Sequence, residues 1–201
     1  MKKKGKLALL VIFGVLLLDQ LLKIWIKTHM YLGQEYKITN WFFIHFTENN
    51  GMAFGLELGS GNFAKLFLSL FRIAAIVLIG YYLYTLVKKN AQTGLIVCIA
   101  LILAGAIGNM IDSAFYGLIF NDSYYQVAQM FPPEGGYSHF LKGKVVDMLY
   151  FPIIQTTLPS WIPFWGGEEF VFFRPVFNLA DSSITIGVIL LLIFQKKFFK
   201  K

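Results

Sequence analysis

Apolar residues gather into four stretches: residues 7–27 (LALLVIFGVLLLDQLLKIWIK), 64–87 (AKLFLSLFRIAAIVLIGYYLYTLV), 94–118 (GLIVCIALILAGAIGNMIDSAFYGL) and 177–195 (FNLADSSITIGVILLLIFQ). A helix crosses a hydrocarbon core with about 20 predominantly apolar residues, so the pattern predicts four transmembrane helices. The connections alternate in character. Residues 88–93 form a short polar link, whereas about 28–63 and 119–176 are long and hold most of the Trp, Tyr and Pro. The first long connection contains EYKITNWFFIHFTENNG, whose β-branched and aromatic residues and Asn-Asn-Gly turn chemistry predict a short sheet or hairpin. The second contains TLPSWIPFWGGEEFVFFRP, and its aromatics predict an extended cap at the membrane interface. The start MKKKGK and the apolar run behind it resemble a signal peptide, but no small-x-small cleavage site follows and Asp19, Gln20 and Lys23 stand where cleavage would fall. A retained helix is expected.

Lysines orient these spans. Lys2, Lys3, Lys4 and Lys6 precede the first, Lys88 and Lys89 lie between the second and third, and Lys196, Lys197, Lys200 and Lys201 follow the fourth. The positive-inside rule puts all three groups, and so both termini, in the cytoplasm. Composition agrees: 57% of the 201 residues are hydrophobic and 14% charged, with a mean hydropathy of +0.62, outside the range of a soluble domain. The net charge of +7 sits at the ends of apolar runs and not in an aromatic-interleaved patch, which argues against a nucleic-acid partner. The expectation is an all-α integral membrane protein of one domain, with a small β-rich subdomain at the outer interface. A lone Cys98 and three scattered histidines, His29, His45 and His139, offer neither a disulfide nor zinc-ligand spacing.

The acids carry the chemical signal. Asp19, Glu35, Glu48, Glu57, Asp112, Asp122, Glu134, Asp147, Glu168, Glu169 and Asp181 all avoid the lysine-marked side. At 1.5 Å per residue, Asp19 and Asp181 stand roughly 20 Å, and Asp112 about 27 Å, from the cytoplasmic ends of their spans. Carboxylates at that depth are costly unless they face a polar cavity or a partner. Asp19 and Lys23, four residues apart, can pair on one helix face or shape a site together. Asn178 and Asp181 can be an N-terminal cap and no more. Asp147, in VVDMLYF, has no cap role. Two carboxylates in one apolar site keep a proton between them and can act as base and acid in peptide hydrolysis. No GxSxG occurs and no histidine stands in a motif with the serines near Asp181, so serine nucleophile chemistry is unsupported.

Asp19-Gln20-x-x-Lys23, Asn49-x-Gly51-x-Ala53-Phe54, Gly105-Ala106-x-Gly108-Asn109-x-x-Asp112, Val146-Asp147 and Phe177-Asn178-x-Ala180-Asp181 follow one another along the whole chain. In this the chain resembles the lipoprotein signal peptidases (signal peptidase II), four-helix aspartic peptidases of the bacterial cytoplasmic membrane. The resemblance implies a catalytic pair, Asp147 and Asp181, with Asn178 and Asn109 positioning the pair or the substrate backbone. It implies that Asp19, Lys23, Asn49, Gly51 and Asp112 organise the site and hold substrate. The implied substrate is a prolipoprotein cut just before its diacylglyceryl-modified cysteine, on the outer-leaflet side, by a monomer that needs no cofactor and no metal. Two departures stand out: Ser113 occupies the position where the family carries Arg, leaving Arg174 or Lys144 as candidate substitutes, and about 119–143 and 152–175 look like insertions. The insertions read equally as a lid or lipid-facing cap and as interfacial packing.

Met52, Phe54 and the outer-loop aromatics are candidate walls for peptide and acyl chains. Gly105 and Gly108 read as a close helix approach, as space for substrate backbone, or as both. The main rival is a small proton-coupled transporter or channel subunit, since intramembrane acids mark ion paths. Acids confined to one side leave such a path without an inner half. A phosphatase would want clustered cations, and the outer half has only scattered ones.

Overall fold

The computed structural model describes residues 3–50 and 62–199; Gly51, Met52, Ala53 and Phe54 lie outside them. Helix α1 (Lys3–His29) leads to strands β1 (Glu35–Lys37) and β2 (Phe43–Asn49), then to α2 (Asn62–Lys88) and α3 (Thr93–Ile111). The third apolar stretch does not stay α-helical: at Asp112–Tyr116 it widens into a π turn, then closes with the short α4 (Gly117–Ile119). After an irregular segment come β3 (Val145–Tyr150), β4 (Ile154–Thr157), β5 (Glu169–Phe172), β6 (Val176–Phe177), α5 (Leu179–Ile193) and α6 (Gln195–Phe198).

Among the described residues, three helices are long and apolar enough to cross a membrane, within Lys3–His29, Phe67–Lys88 and Thr93–Ile119. The fourth predicted span is shorter than its composition suggests. Val176 and Phe177 belong to a strand, Asn178 caps, and the helix proper has 15 residues, about 22 Å at 1.5 Å each.

Helix α3 is the axis, packed by α1, α2 and α5. Glycines let α5 approach it: a methyl group at Gly105 would meet the Ala180 carbonyl, and one at Gly108 would lie 2.9 Å from Asp19 Oδ2 and 3.1 Å from the Ala180 methyl. The space beside both glycines is thus filled by the protein's own α1 and α5, which selects close approach over room for substrate. Polar residues follow one stripe of α1. Asp19, Lys23 and Lys27, at i, i+4 and i+8, are buried, while Leu17, Leu18 and Leu21 face outward, an arrangement suited to a lipid surround. The lysine groups gather at one end of the bundle. Lys4 Nζ donates to the Ala91 carbonyl at 2.6 Å, and Gln92 Nε2 to that of Lys197 at 2.8 Å.

At the other end, β1, β2, β3 and β6 form an antiparallel sheet in that order. Ile44 faces Leu149 and Thr47 faces Asp147, so β2 has one residue more than β3 over this step. Such a bulge re-aims the strand, and here it buries Phe46 fully beneath the sheet. The two apparent insertions differ from each other. The segment 119–143 returns to the core through Phe120, Ala128 and Tyr137, whereas β4 and β5 make a separate hairpin with Trp161, Phe164 and Trp165 exposed.

Candidate active site

The N-terminus of α5 is built by three elements. Asn178 Oδ1 accepts from the Asp181 amide at 2.8 Å, and the Asn178 amide reaches back to Asp181 Oδ2 at 3.4 Å, a reciprocal capping box. The amide of Ala180, an early helix position with no intrahelical partner, donates instead to Asp19 Oδ1 of α1 at 2.9 Å. The cap reading of Asn178 and Asp181 is therefore correct, and the cap still leaves side-chain atoms for other work. Asp181 Oδ1 accepts from Asn109 Nδ2 at 2.7 Å, and Asn178 Nδ2 donates to Asp147 Oδ1 at 2.7 Å.

Asp147 comes from the middle of β3 and is 2% exposed. Its second oxygen, Oδ2, accepts from Asn49 Nδ2 of β2. Burial and, after it, the charge of Asp181 push the Asp147 carboxyl up to about 7, against the opposing pull of Lys23, Asn178 and Asn49. Asp181 is half-buried and so the more accessible of the two.

Beneath the pair lies a charged layer. Lys23 Nζ, 0% exposed, spends its three protons on Asp19 Oδ2 (2.9 Å), Asp112 Oδ2 (2.8 Å) and Asn109 Oδ1 (3.0 Å). Asn109 Oδ1 also accepts from Asn178 Nδ2 at 3.0 Å. Asp112, at the start of the π turn, takes Gln20 Nε2 on Oδ1 (3.0 Å) and the Val146 amide on Oδ2 (3.2 Å). That last bond ties the helix bundle to the strand residue before Asp147. Among the described residues no buried side-chain nitrogen or oxygen lacks a partner. The expected Asp19–Lys23 pair forms, and Asp19 also receives the Ala180 amide.

Of the residues expected here, Asp19, Lys23, Asn49, Asn109, Asp112, Asp147, Asn178 and Asp181 converge, and Gly51 falls outside the described residues. The substitutes suggested for the cation at position 113 are elsewhere. Arg174 donates to the Glu169 carbonyl on the hairpin at 3.3 Å, and Lys144 binds Glu48 Oε2 at 3.2 Å. The guanidinium beside Ser113 is that of Arg72 in α2, with Nη1 3.2 Å from Ser113 Oγ. Sequence reading also passed over Lys27. It is fully buried on Glu48 (2.6 Å) and Ser123 (2.7 Å), with the rings of Phe46, Phe120 and Tyr137 around it. Both had a legible signal, since each is a cation inside an apolar stretch.

Toward the lysine-marked end, Ala8, Leu83, Leu86, Leu95, Ile99 and Leu103 pack on one another among the described residues. With the geometry in place, comparison with known proteins is specific. Residues 11–197 match the family model of signal peptidase (SPase) II. The lipoprotein signal peptidase of Porphyromonas gingivalis is 57% identical over 191 residues, covering 94% of this chain and 83% of that protein. That of Amoebophilus asiaticus is 39% identical over 189 residues, covering 90% and 75%. A solved bacterial membrane enzyme superposes with a TM-score of 0.63 at 27% identity, covering 98% of this chain and 92% of the other. A second such structure gives 0.61 at 28% identity, covering 96% and 94%. The chain belongs to the signal peptidase II family of aspartic peptidases.

Proposed function

We propose that this protein removes the signal peptide from diacylglyceryl-modified prolipoproteins, cutting before the lipidated cysteine, with Asp147 and Asp181 as the catalytic pair. The observation that carries the residue assignment is the convergence of these two carboxylates on the Asn178 and Asn109 amides, at the junction of β3, α3 and α5. Asp147, the more buried and pushed up to about 7, holds the proton of the resting pair, and Asp181 is the base.

Asp181 takes a proton from a water that attacks the scissile carbonyl carbon. The Asp147 proton passes to the carbonyl oxygen, giving a tetrahedral diol. On collapse Asp181 returns its proton to the departing amine nitrogen, and Asp147 recovers one from the diol, which restores the starting pair. Asn178 and Asn109 fix the carboxylates, while Asp19, Lys23 and Asp112 lock the asparagines and the α5 N-terminus. Asn49 and Gly51 hold the pair or the substrate from the first outer connection.

A lipidated substrate fits the surroundings. An apolar groove of about 220 Å³ runs between α2 and the α3–π-turn segment along Ile76, Met110, Ala114 and Phe115. The proposed setting is a single domain in the bacterial cytoplasmic membrane, crossed four times, with both termini cytoplasmic and the pair at the outer leaflet. The lysine groups at the opposite end of the bundle from the sheet support that orientation. The protein acts as a monomer, without metal or cofactor. Cleavage of a diacylglyceryl-modified prolipoprotein by purified wild type, Asp147→Asn and Asp181→Asn tests the proposal: both variants should be inactive and folded.

A further inference from the structure

One charge near the pair has no part in the steps above. Arg72 sits in the apolar run LFRIAAIV of α2, half-buried, where a guanidinium is costly unless the bundle interior supplies acceptors or anions. From its Nη1 a line of hydrogen bonds leads to the site. Arg72 donates to Ser113 Oγ at 3.2 Å, Ser113 Oγ to the Asn109 carbonyl at 3.1 Å, and Asn109 Nδ2 to Asp181 Oδ1 at 2.7 Å. Asp181, Asp112 and Asp147 all stand close enough to act on its charge.

Charge balance gives this placement a purpose. Around the site stand Asp19 and Lys23 from α1, Asp112 from the π turn, Asp147 from β3 and Asp181 from α5, with neutral Asn49, Asn109 and Asn178 between them. Lys23 is committed to Asp19, Asp112 and Asn109. Its ammonium has no proton left for the pair. Arg72 comes from α2 and reaches Ser113 Oγ, and Ser113 is small enough to receive its guanidinium where a longer side chain would occupy that place.

We propose that Arg72 is a positioning residue for the aspartate pair: delivered from α2 onto Ser113, it holds Asn109 against Asp181 and favours the singly ionised pair over the doubly protonated one. A nearby cation favours the charged form of a carboxyl. Removing it therefore moves both titrations of the pair to higher pH.

This inference rests on Asp147 and Asp181 being the acting pair, so Asp147→Asn forms a separate arm of the test. Wild type, Arg72→Met, Arg72→Lys, Arg72→Met/Ser113→Arg and Asp147→Asn are purified in detergent. Each is followed for cleavage of a diacylglyceryl-modified prolipoprotein across pH and for thermal unfolding. Arg72→Met should lose about tenfold in kcat near neutral pH, with the acidic limb of its profile raised by about one unit. Arg72→Lys should keep the limb near its wild-type position, and the double variant, with the cation moved to the π turn, should bring it back. An Arg72→Met protein with an unmoved limb, whatever its rate, overturns the proposal, because a purely structural loss lowers activity without shifting titration. If Arg72→Met does not fold, the double variant decides: folding with a wild-type limb supports the proposal, and a displaced limb or failure to fold overturns it. Cleavage by Asp147→Asn would instead overturn the reading of the pair itself.

Discussion

In the half of the bundle nearer the lysines, Leu83, Leu86, Leu95, Ile99 and Leu103 pack on one another around α3. In the other half α3 meets α1 and α5 through Asp19, Lys23, Asn109, Asp112 and Asn178. The first kind of packing is non-directional and tolerates exchange of one aliphatic for another. The second is an interlocked set of buried charges and amides, in which each group satisfies the next and a single loss leaves several unpaired. A lipid surround already solvates apolar side chains, so the leucine half adds little specificity. The polar half fixes which residue of each helix stands at the pair.

The sharpest way to break this contrast is at the pair. Asp181→Asn should lower the cleavage rate by on the order of 10³, within the range for losing an acid–base group, while the protein stays folded at a cost of about 1–3 kcal/mol, because asparagine keeps one acceptor oxygen and turns an amide group toward the Asn109 or Asn178 N–H donor. Next in size is Lys23→Met, which strands Asp19 and Asp112 and should cost about 3–5 kcal/mol, read as the loss of thermal stability in detergent. Gly105→Ala drives a methyl into the Ala180 carbonyl; pushing α5 off α3 should cost about 1–3 kcal/mol and lower activity with it. The smallest effect belongs to the leucine half: Ile99→Val should cost about 0.5–1.5 kcal/mol and leave the cleavage rate unchanged. Equal effects on activity in the two halves would erase the distinction.

The pH dependence sharpens it further. Burial and the charge of Asp181 raise the Asp147 carboxyl from its ordinary 3.8 to about 7, so the folded protein holds a proton there that the unfolded chain has released. Its contribution to stability is present below pH 3.8, falls between 3.8 and about 7, and is flat above. Activity should decline above about 7, as the neutral partner of the pair ionises.

Much of the site was legible because polar residues in apolar stretches are costly and so mark function. Asp19, Lys23, Asp112 and Asp181 stood out this way, Asn109 entered only through the family resemblance, and the capping signal of Asn178 was real. Other features depend on contacts between distant segments. Nothing local in IDSAFYG marks the π turn, which lets Asp112 reach both Gln20 and the Val146 amide. The span 177–195 overestimated α5 because Phe177 and Phe194 are apolar whether they belong to a strand, a cap or the helix. Lys27 stands on the same stripe as Asp19 and Lys23, and periodicity alone could have found it. That Arg72 is the cation at Ser113, and not Arg174 or Lys144, follows only from how α2 packs against α3.

The central claim, that the Asp147–Asp181 pair does the chemistry, is tested most directly at Asp147. Asp147→Asn should cleave no diacylglyceryl-modified prolipoprotein at any pH. It should also unfold at the same temperature as wild type or higher at pH above about 7, because the substitution removes a buried carboxylate that is ionised there. An Asp147→Asn protein that still cleaves at a rate near wild type would contradict the account.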